Sequence, residues 1–226
     1  MLDAELTAAR ERRGGRPPRL LDVGGGSGVL AVPLAAAGAE VTVVEPSPNA
    51  LATLHRRAED AGVAHLITAV QGDSDALDSL VTPGFDLVIA HGVLEVVDDP
   101  KLTVAALAAA VAPGGAVSVV VANRFAAVIQ RAISGKLADA RRLLDGVSPP
   151  GEPRRFDTVG LRALLDDAEL TVHVVQGLGV LADLVPGGVL ESSPGAAEAL
   201  AELGAVASTT PPLRDVATRL HAVARR

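Results

Sequence analysis

Leu20-Leu21-Asp22-Val23-Gly24-Gly25-Gly26-Ser27-Gly28 joins a short apolar run to a cluster of glycines, with an acid set between them. Four residues bounded this way read as a buried strand, Leu20–Val23, that stops where the glycines begin. The small residues Val29–Ala37 then predict a helix that ends at Gly38. Glycine lets a ligand approach the backbone where a Cβ would block it, and it accepts the positive φ of a tight strand-to-helix turn. A helix starting near Ser27 points unpaired N–H groups back at the turn. Loops of this kind bind nucleotides at the carboxyl ends of strands, beside the point where strand order reverses.

The same alternation runs outward from the loop. Glu40–Glu45 reads as a second strand closed by Pro46, Asn49–Ala61 as a helix ending at Gly62, and His65–Val70 as a third strand. Asp75–Val81 reads as a short helix, Phe85–Ala90 as a fourth strand, Lys101–Val111 as a helix, and Ala116–Ala122 as a fifth strand after Pro113-Gly114-Gly115. Residues 124–156 break the rhythm with an amphipathic basic helix and the loop Ser148–Pro153. Asp157-Thr158 caps a helix through Asp166, Leu170–Val180 is a strand with a glycine interruption, Ala196–Leu203 a helix, and Thr218–Ala224 a last strand. The expected fold is α/β, a doubly wound, mainly parallel seven-stranded sheet. A single domain over 1–226 is expected, with a substrate-side helical insertion at about 124–156.

Of the 226 residues, 49% are hydrophobic, which argues against long disordered stretches. There is no Cys, so disulfides and thiolate metal sites are excluded, and the five histidines lie scattered without ligand spacing; no metal is expected. No signal peptide or membrane span is visible, and a cytoplasmic protein is expected. A net charge of −7 argues against indiscriminate nucleic-acid binding. The charge is uneven, however: residues 38–101 hold eleven acids against Arg56, Arg57 and Lys101, whereas 124–162 hold eight bases against four acids.

The glycine spacing separates two nucleotide classes. The dinucleotide pattern G-x-G-x-x-G fails from Gly24 and Gly26, since its third place is Val29. From Gly26 and Gly28 the third place is Ala31, which a tolerant pattern allows, so a nicotinamide-dependent oxidoreductase stays open. Asp22, ahead of the glycines, suits a different ligand: S-adenosylmethionine (SAM) has no phosphate, and its ammonium needs an acid.

Here the chain resembles the class I SAM-dependent methyltransferases, whose first motif is D/E-x-G-x-G-x-G; Asp22, Gly24, Gly26 and Gly28 fit it in order. The resemblance implies that Glu45, ending the second strand, accepts hydrogen bonds from the ribose hydroxyls. It also implies that Gly72, Asp73 and Ser74, after the third strand, meet the adenine, and that Gly25 belongs to the cofactor loop. A narrower likeness rests on His91-Gly92-Val93-Leu94-Glu95-Val96-Val97-Asp98-Asp99-Pro100, with Pro113-Gly114-Gly115, Asn123 and the basic helix around Gly135-Lys136. This resembles bacterial tRNA 5-carboxymethoxyuridine methyltransferases, which esterify a carboxylate on the wobble uridine. That family places a histidine at His91 beside the cofactor, and an N-terminal helix over it, for which this chain begins too late. Gly177-Leu178-Gly179-Val180-Leu181 lacks the family's arginine, and its C-terminal tyrosines are absent.

Methyl transfer is an in-line displacement in which positioning supplies much of the rate. A carboxylate acceptor needs no base; for a hydroxyl or amine, His91 is the best-placed candidate. Asn123 and Arg124 are the candidate substrate residues. The acceptor is expected to be tRNA or a small molecule, with no membrane partner. A non-catalytic SAM-binding protein is the further alternative.

Overall fold

The computed structural model describes residues 2–149, 151–182 and 184–226. Seven strands form one sheet: β1 (Arg19–Val23), β2 (Glu40–Glu45), β3 (Ile67–Gln71), β4 (Phe85–His91), β5 (Val111–Ala122), β6 (Thr171–Leu178) and β7 (Arg219–Arg225). Their order is β3-β2-β1-β4-β5-β7-β6, and β3, β2, β1 and β4 run parallel. Strand order reverses between β1 and β4, so the crevice outside their carboxyl ends is the place for a ligand. The first six residues of β4 and the last four of β1 are buried, which is why both are mostly apolar, each with one buried acid, Asp86 and Asp22.

By its contacts the chain divides into two compact units, one of residues through Val119 with 164–173 and 223–226, the other of 120–163 and 174–222. The first unit holds α1 (Leu2–Arg12), α2 (Ala31–Ala36), α3 (Pro48–Asp60), α4 (Leu77–Leu80) and α5 (Pro100–Ala110). Start signals fix two of these. Ser47 Oγ accepts from Ala50 N at 3.3 Å and Pro48 takes the first turn of α3. Asp99 Oδ1 does the same for α5, accepting from Lys101 N at 2.8 Å, with Pro100 behind it. The apolar face of α3, Leu51, Leu54 and Ala58, is buried at helical spacing.

Several expectations are corrected. The helix predicted over Val29–Ala37 shrinks to α2, because the turn through Gly28 uses Val29 and Leu30 before the helix can start. The fifth strand begins at Val111 and takes in Pro113-Gly114-Gly115. His65 falls in a 3-10 turn ahead of β3. The chain does carry an N-terminal helix, α1, but it does not cover a cofactor cleft: Arg13 Nη1 pairs with Asp86 Oδ2 at 3.2 Å, at the start of β4. Arg225 Nη2 adds two bonds of 2.8 Å to Glu5.

The second unit holds α6 (Arg124–Ile133) and α7 (Leu137–Leu144), where one basic helix was predicted. Gly135, at φ 75, breaks the segment in two. With it are α8 (Thr158–Asp166, which continues into the first unit), α9 (Gly187–Ser192) and α10 (Ala196–Ala207); α9 had no sequence signal. Asp157 caps α8 as predicted, its Oδ1 accepting from Gly160 N at 2.7 Å. Pro150, within the predicted loop, lies outside the described residues. Among the described residues no helix is long and apolar enough to cross a membrane.

Candidate cofactor site

A cleft of about 470 Å³ opens in the first unit where β1, β2, β3 and β4 end. Val23 and Gly24 come from β1, Glu45 and Pro46 from β2, Gly72, Asp73, Ser74 and Asp75 from beyond β3, and Gly92 and Val93 from beyond β4. The start of α5 completes it with Leu102 and Thr103. Two features of the lining matter. Val93, Val96, Val97 and Leu102 give the lining its apolar side chains. Five carboxylates, Glu45, Asp73, Asp75, Asp98 and Asp99, stand on it, and among the described residues no Lys, Arg or His does.

Glu45 is 9% exposed, and its two oxygens are oriented from the backbone. Oε2 accepts from Gly26 N and Oε1 from Ser47 N, both at 3.0 Å. The carboxylate thus ties the glycine loop to the end of β2 and keeps lone pairs for a ligand. Asp73 Oδ1 accepts from Ser74 N at 2.6 Å and Ser74 Oγ at 3.2 Å, turning the chain after β3.

Asp22 lies behind the loop, 2% exposed. Burial, with the Glu45 carboxylate as the second cause, pushes its carboxyl up to about 7. Gly25 must be glycine for a steric reason: a Cβ there would stand 2.6 Å from Asp22 Oδ2 and 2.8 Å from Val43 Cγ1. Gly24 has φ 65, and its Cβ would fall 2.7 Å from Val93 Cγ2. Asp22 Oδ2 is buried without a hydrogen-bond partner, an orphan polar atom beneath the glycine loop.

Of the sequence-predicted cofactor residues, Gly24, Glu45, Gly72, Asp73 and Ser74 line the cleft, while Asp22, Gly25 and Gly26 support it from behind. His91 is half-buried and off the lining; its Nε2 lies 2.9 Å from Ser118 Oγ, a buried partner that fixes the ring. The valine wall and Asp98-Asp99 were not singled out as site residues. Their signal was positional, as they follow the end of β4 at the switch point.

The substrate candidates have structural work in the second unit. Asn123 is fully buried; its Nδ2 donates to Asp215 O at 2.8 Å and Ala217 O at 2.7 Å, and its Oδ1 accepts from Phe125 N at 3.0 Å as the cap of α6. Arg124 pairs with Asp157, donates to Leu144 O at 3.1 Å, and packs over the Phe125 ring. Other bases of the segment are paired too: Arg131 with Glu152, Arg141 with Asp145 and Arg142 with Asp139.

Comparison with known proteins agrees with this geometry. Residues 21–117 match a family described as "Methyltransferase domain". A ubiquinone biosynthesis O-methyltransferase of Methylobacterium sp. (strain 4-46) is 39% identical over 118 residues, covering 51% of this chain and 45% of that one. The match thus spans about half the length of the curated relatives. An S-adenosylmethionine-dependent methyltransferase from Mesorhizobium loti superposes with a TM-score of 0.63 at 21% identity, over 100% of this chain and 95% of the other. The magnesium protoporphyrin IX methyltransferase of Synechocystis PCC 6803, solved with bound S-adenosylhomocysteine (SAH), gives 0.60 at 16% identity, over 99% and 80%. The chain has the fold of the SAM-dependent methyltransferases, and over residues 21–117 it is similar in sequence to the methyltransferase-domain family.

Proposed function

We propose that the chain binds SAM in this cleft and transfers its methyl group to an oxygen of a small-molecule acceptor. The observation that carries the cofactor reading is the lining itself. A pyrophosphate would meet five carboxylates and no cation there, whereas SAM, with an ammonium and a sulfonium against a single carboxylate, brings net positive charge. This also disfavours the nicotinamide reading.

SAM, when bound, supplies a methyl group on an electron-poor sulfur that an oxygen nucleophile can displace in line. The protein's part is placement. Glu45, aimed by Gly26 N and Ser47 N, is set to accept from the ribose hydroxyls. Val93, Val96, Val97 and Leu102, the apolar side chains of the cleft, would hold the adenine, with Asp73 the candidate for its amino edge. Should the acceptor arrive as a hydroxyl, His91, oriented by Ser118, is the candidate to take its proton.

The O-methyltransferase names of the relatives favour a small molecule over tRNA. The paired arginines support the same reading, since bases already engaged by acids have less to offer phosphates. The second unit also carries an apolar groove of about 260 Å³ lined by Ile129, Ile133, Val180 and Leu184, suited to an apolar group rather than a sugar-phosphate backbone. Calorimetric titration with SAM, SAH and NADH tests the cofactor: binding of SAH but not NADH is expected, and the reverse would overturn the proposal. Transfer of labelled methyl to a small-molecule extract tests the activity, and no transfer would leave a binding protein.

A further inference from the structure

Asp22 closes β1 under the glycine loop, 2% exposed, with one oxygen buried and unpartnered. The charged group that acts on it, Glu45, does not neutralise it, and the nearby bases are engaged elsewhere. From β2, Glu45 brings a second negative charge. From the end of β4, His91 turns its Nε2 to Ser118. From α3, Arg57 reaches the loop but spends Nη1 on Ser27 O and Oγ, at 3.3 and 3.1 Å. An ionised carboxylate so placed is costly; the protonated form is far less so. A cation brought to the glycine loop reverses that preference.

We propose that Asp22 holds a proton in the ligand-free protein and releases it to solvent when the α-ammonium of the amino-acid end of SAM or SAH reaches the glycine loop, so that cofactor capture is coupled to proton release. The inference rests on the cofactor reading above. Burial and Glu45 set the Asp22 carboxyl at about 7, where this coupling acts at neutral pH. The adenosine end is held by other groups, Glu45 above all. A ligand with only that end, such as 5′-methylthioadenosine, should therefore bind without expelling the proton.

The test is calorimetry with SAH in two buffers of different ionisation heat. About one proton should leave per ligand near pH 6, and the Kd should rise close to tenfold for each unit below about pH 7. 5′-Methylthioadenosine should show neither effect, and Asp22→Asn should abolish both for SAH. Carbon-13 titration of the Asp22 carboxyl in the ligand-free native protein, which needs no variant, should report a midpoint near neutrality. A midpoint near 4, SAH binding without proton release, or a pH slope that survives in Asp22→Asn would each overturn the proposal. Failure of both SAH and 5′-methylthioadenosine to bind at any pH would overturn the cofactor reading as well, a result distinct from binding without a proton.

Discussion

Glu45 shows how one carboxylate can hold a loop and recognise a ligand at once. Its oxygens accept from Gly26 N and Ser47 N, and it faces the cleft. Glu45→Ala should therefore raise the Kd for SAH by about tenfold or more, at roughly 1.5–3 kcal/mol per charged hydrogen bond lost, with circular dichroism unchanged. An unaltered Kd in a folded variant would remove Glu45 from the site. Asp22 gives a prediction about stability, with its sign fixed by its raised carboxyl. The folded chain keeps the proton up to about 7, whereas the unfolded chain gives it up near 3.8, so the folded state binds more protons between those values. Stability from this group is complete below the lower value and lost as pH rises through the upper one. Asp22→Asn should thus gain stability relative to the native chain as pH rises from about 4 to about 7, by at most roughly 4 kcal/mol. Urea unfolding near pH 5 and pH 8 checks it; a gain that shrinks toward pH 8 would contradict it. Gly25 and Gly26 separate two reasons for glycine. Gly25→Ala presses a methyl onto Asp22 and Val43 and should cost about 1–3 kcal/mol. Gly26→Ala meets open space and should cost about 1–2 kcal/mol, for its positive φ alone.

Among the elements, the strands of the first unit were legible because each is an apolar run closed by Gly, Pro or an acid; β2 falls on the residues expected, Glu40–Glu45. Helix α1 was not, since Leu6 and Ala9 are its only buried residues and the rest of its hold is side-chain pairing from distant positions. Near neighbours in sequence cannot reveal Arg13 with Asp86 or Arg225 with Glu5. The half of the site on strand ends, Gly24, Glu45, Gly72, Asp73 and Ser74, was readable because strand ends converge by topology. The valine wall was not, since it stands in a connection without periodicity. Asn123 was misleading for the opposite reason: it follows β5, as an acceptor-side residue might, yet every polar atom of its side chain is engaged. Asn123→Ala should strip two carbonyls of their donor and α6 of its cap, costing about 1–3 kcal/mol in thermal or urea unfolding while the Kd for SAH stays unchanged. Loss of SAH binding at full stability would contradict this assignment.

At the scale of the whole molecule, charge decides between acceptors. The chain carries −7 overall, and four of the eight bases in its basic segment, Arg124, Arg131, Arg141 and Arg142, are paired with acids of the same segment. Arg141 and Arg142 are the most accessible of those four, their side chains 76% and 57% exposed, and solvent screens pairs this open. A polyanion could recruit them cheaply, which makes them the sensitive probe. If tRNA were the acceptor, each phosphate contact would release counterions, and activity would fall steeply with salt, by roughly 0.7–0.9 in log–log slope per contact. The double variant Arg141→Ala/Arg142→Ala would then raise the KM for tRNA and flatten that slope. A small acceptor predicts something else: label from SAM enters a low-molecular-weight product, salt across the same range changes the rate little, and the double variant turns over like the native chain. We expect the second pattern. Stability should also be nearly unchanged in the variant, so a lost rate could not be blamed on unfolding. Labelled methyl found in purified tRNA, with a salt slope that the two substitutions flatten, would reverse the assignment of the acceptor while leaving the cofactor cleft as described.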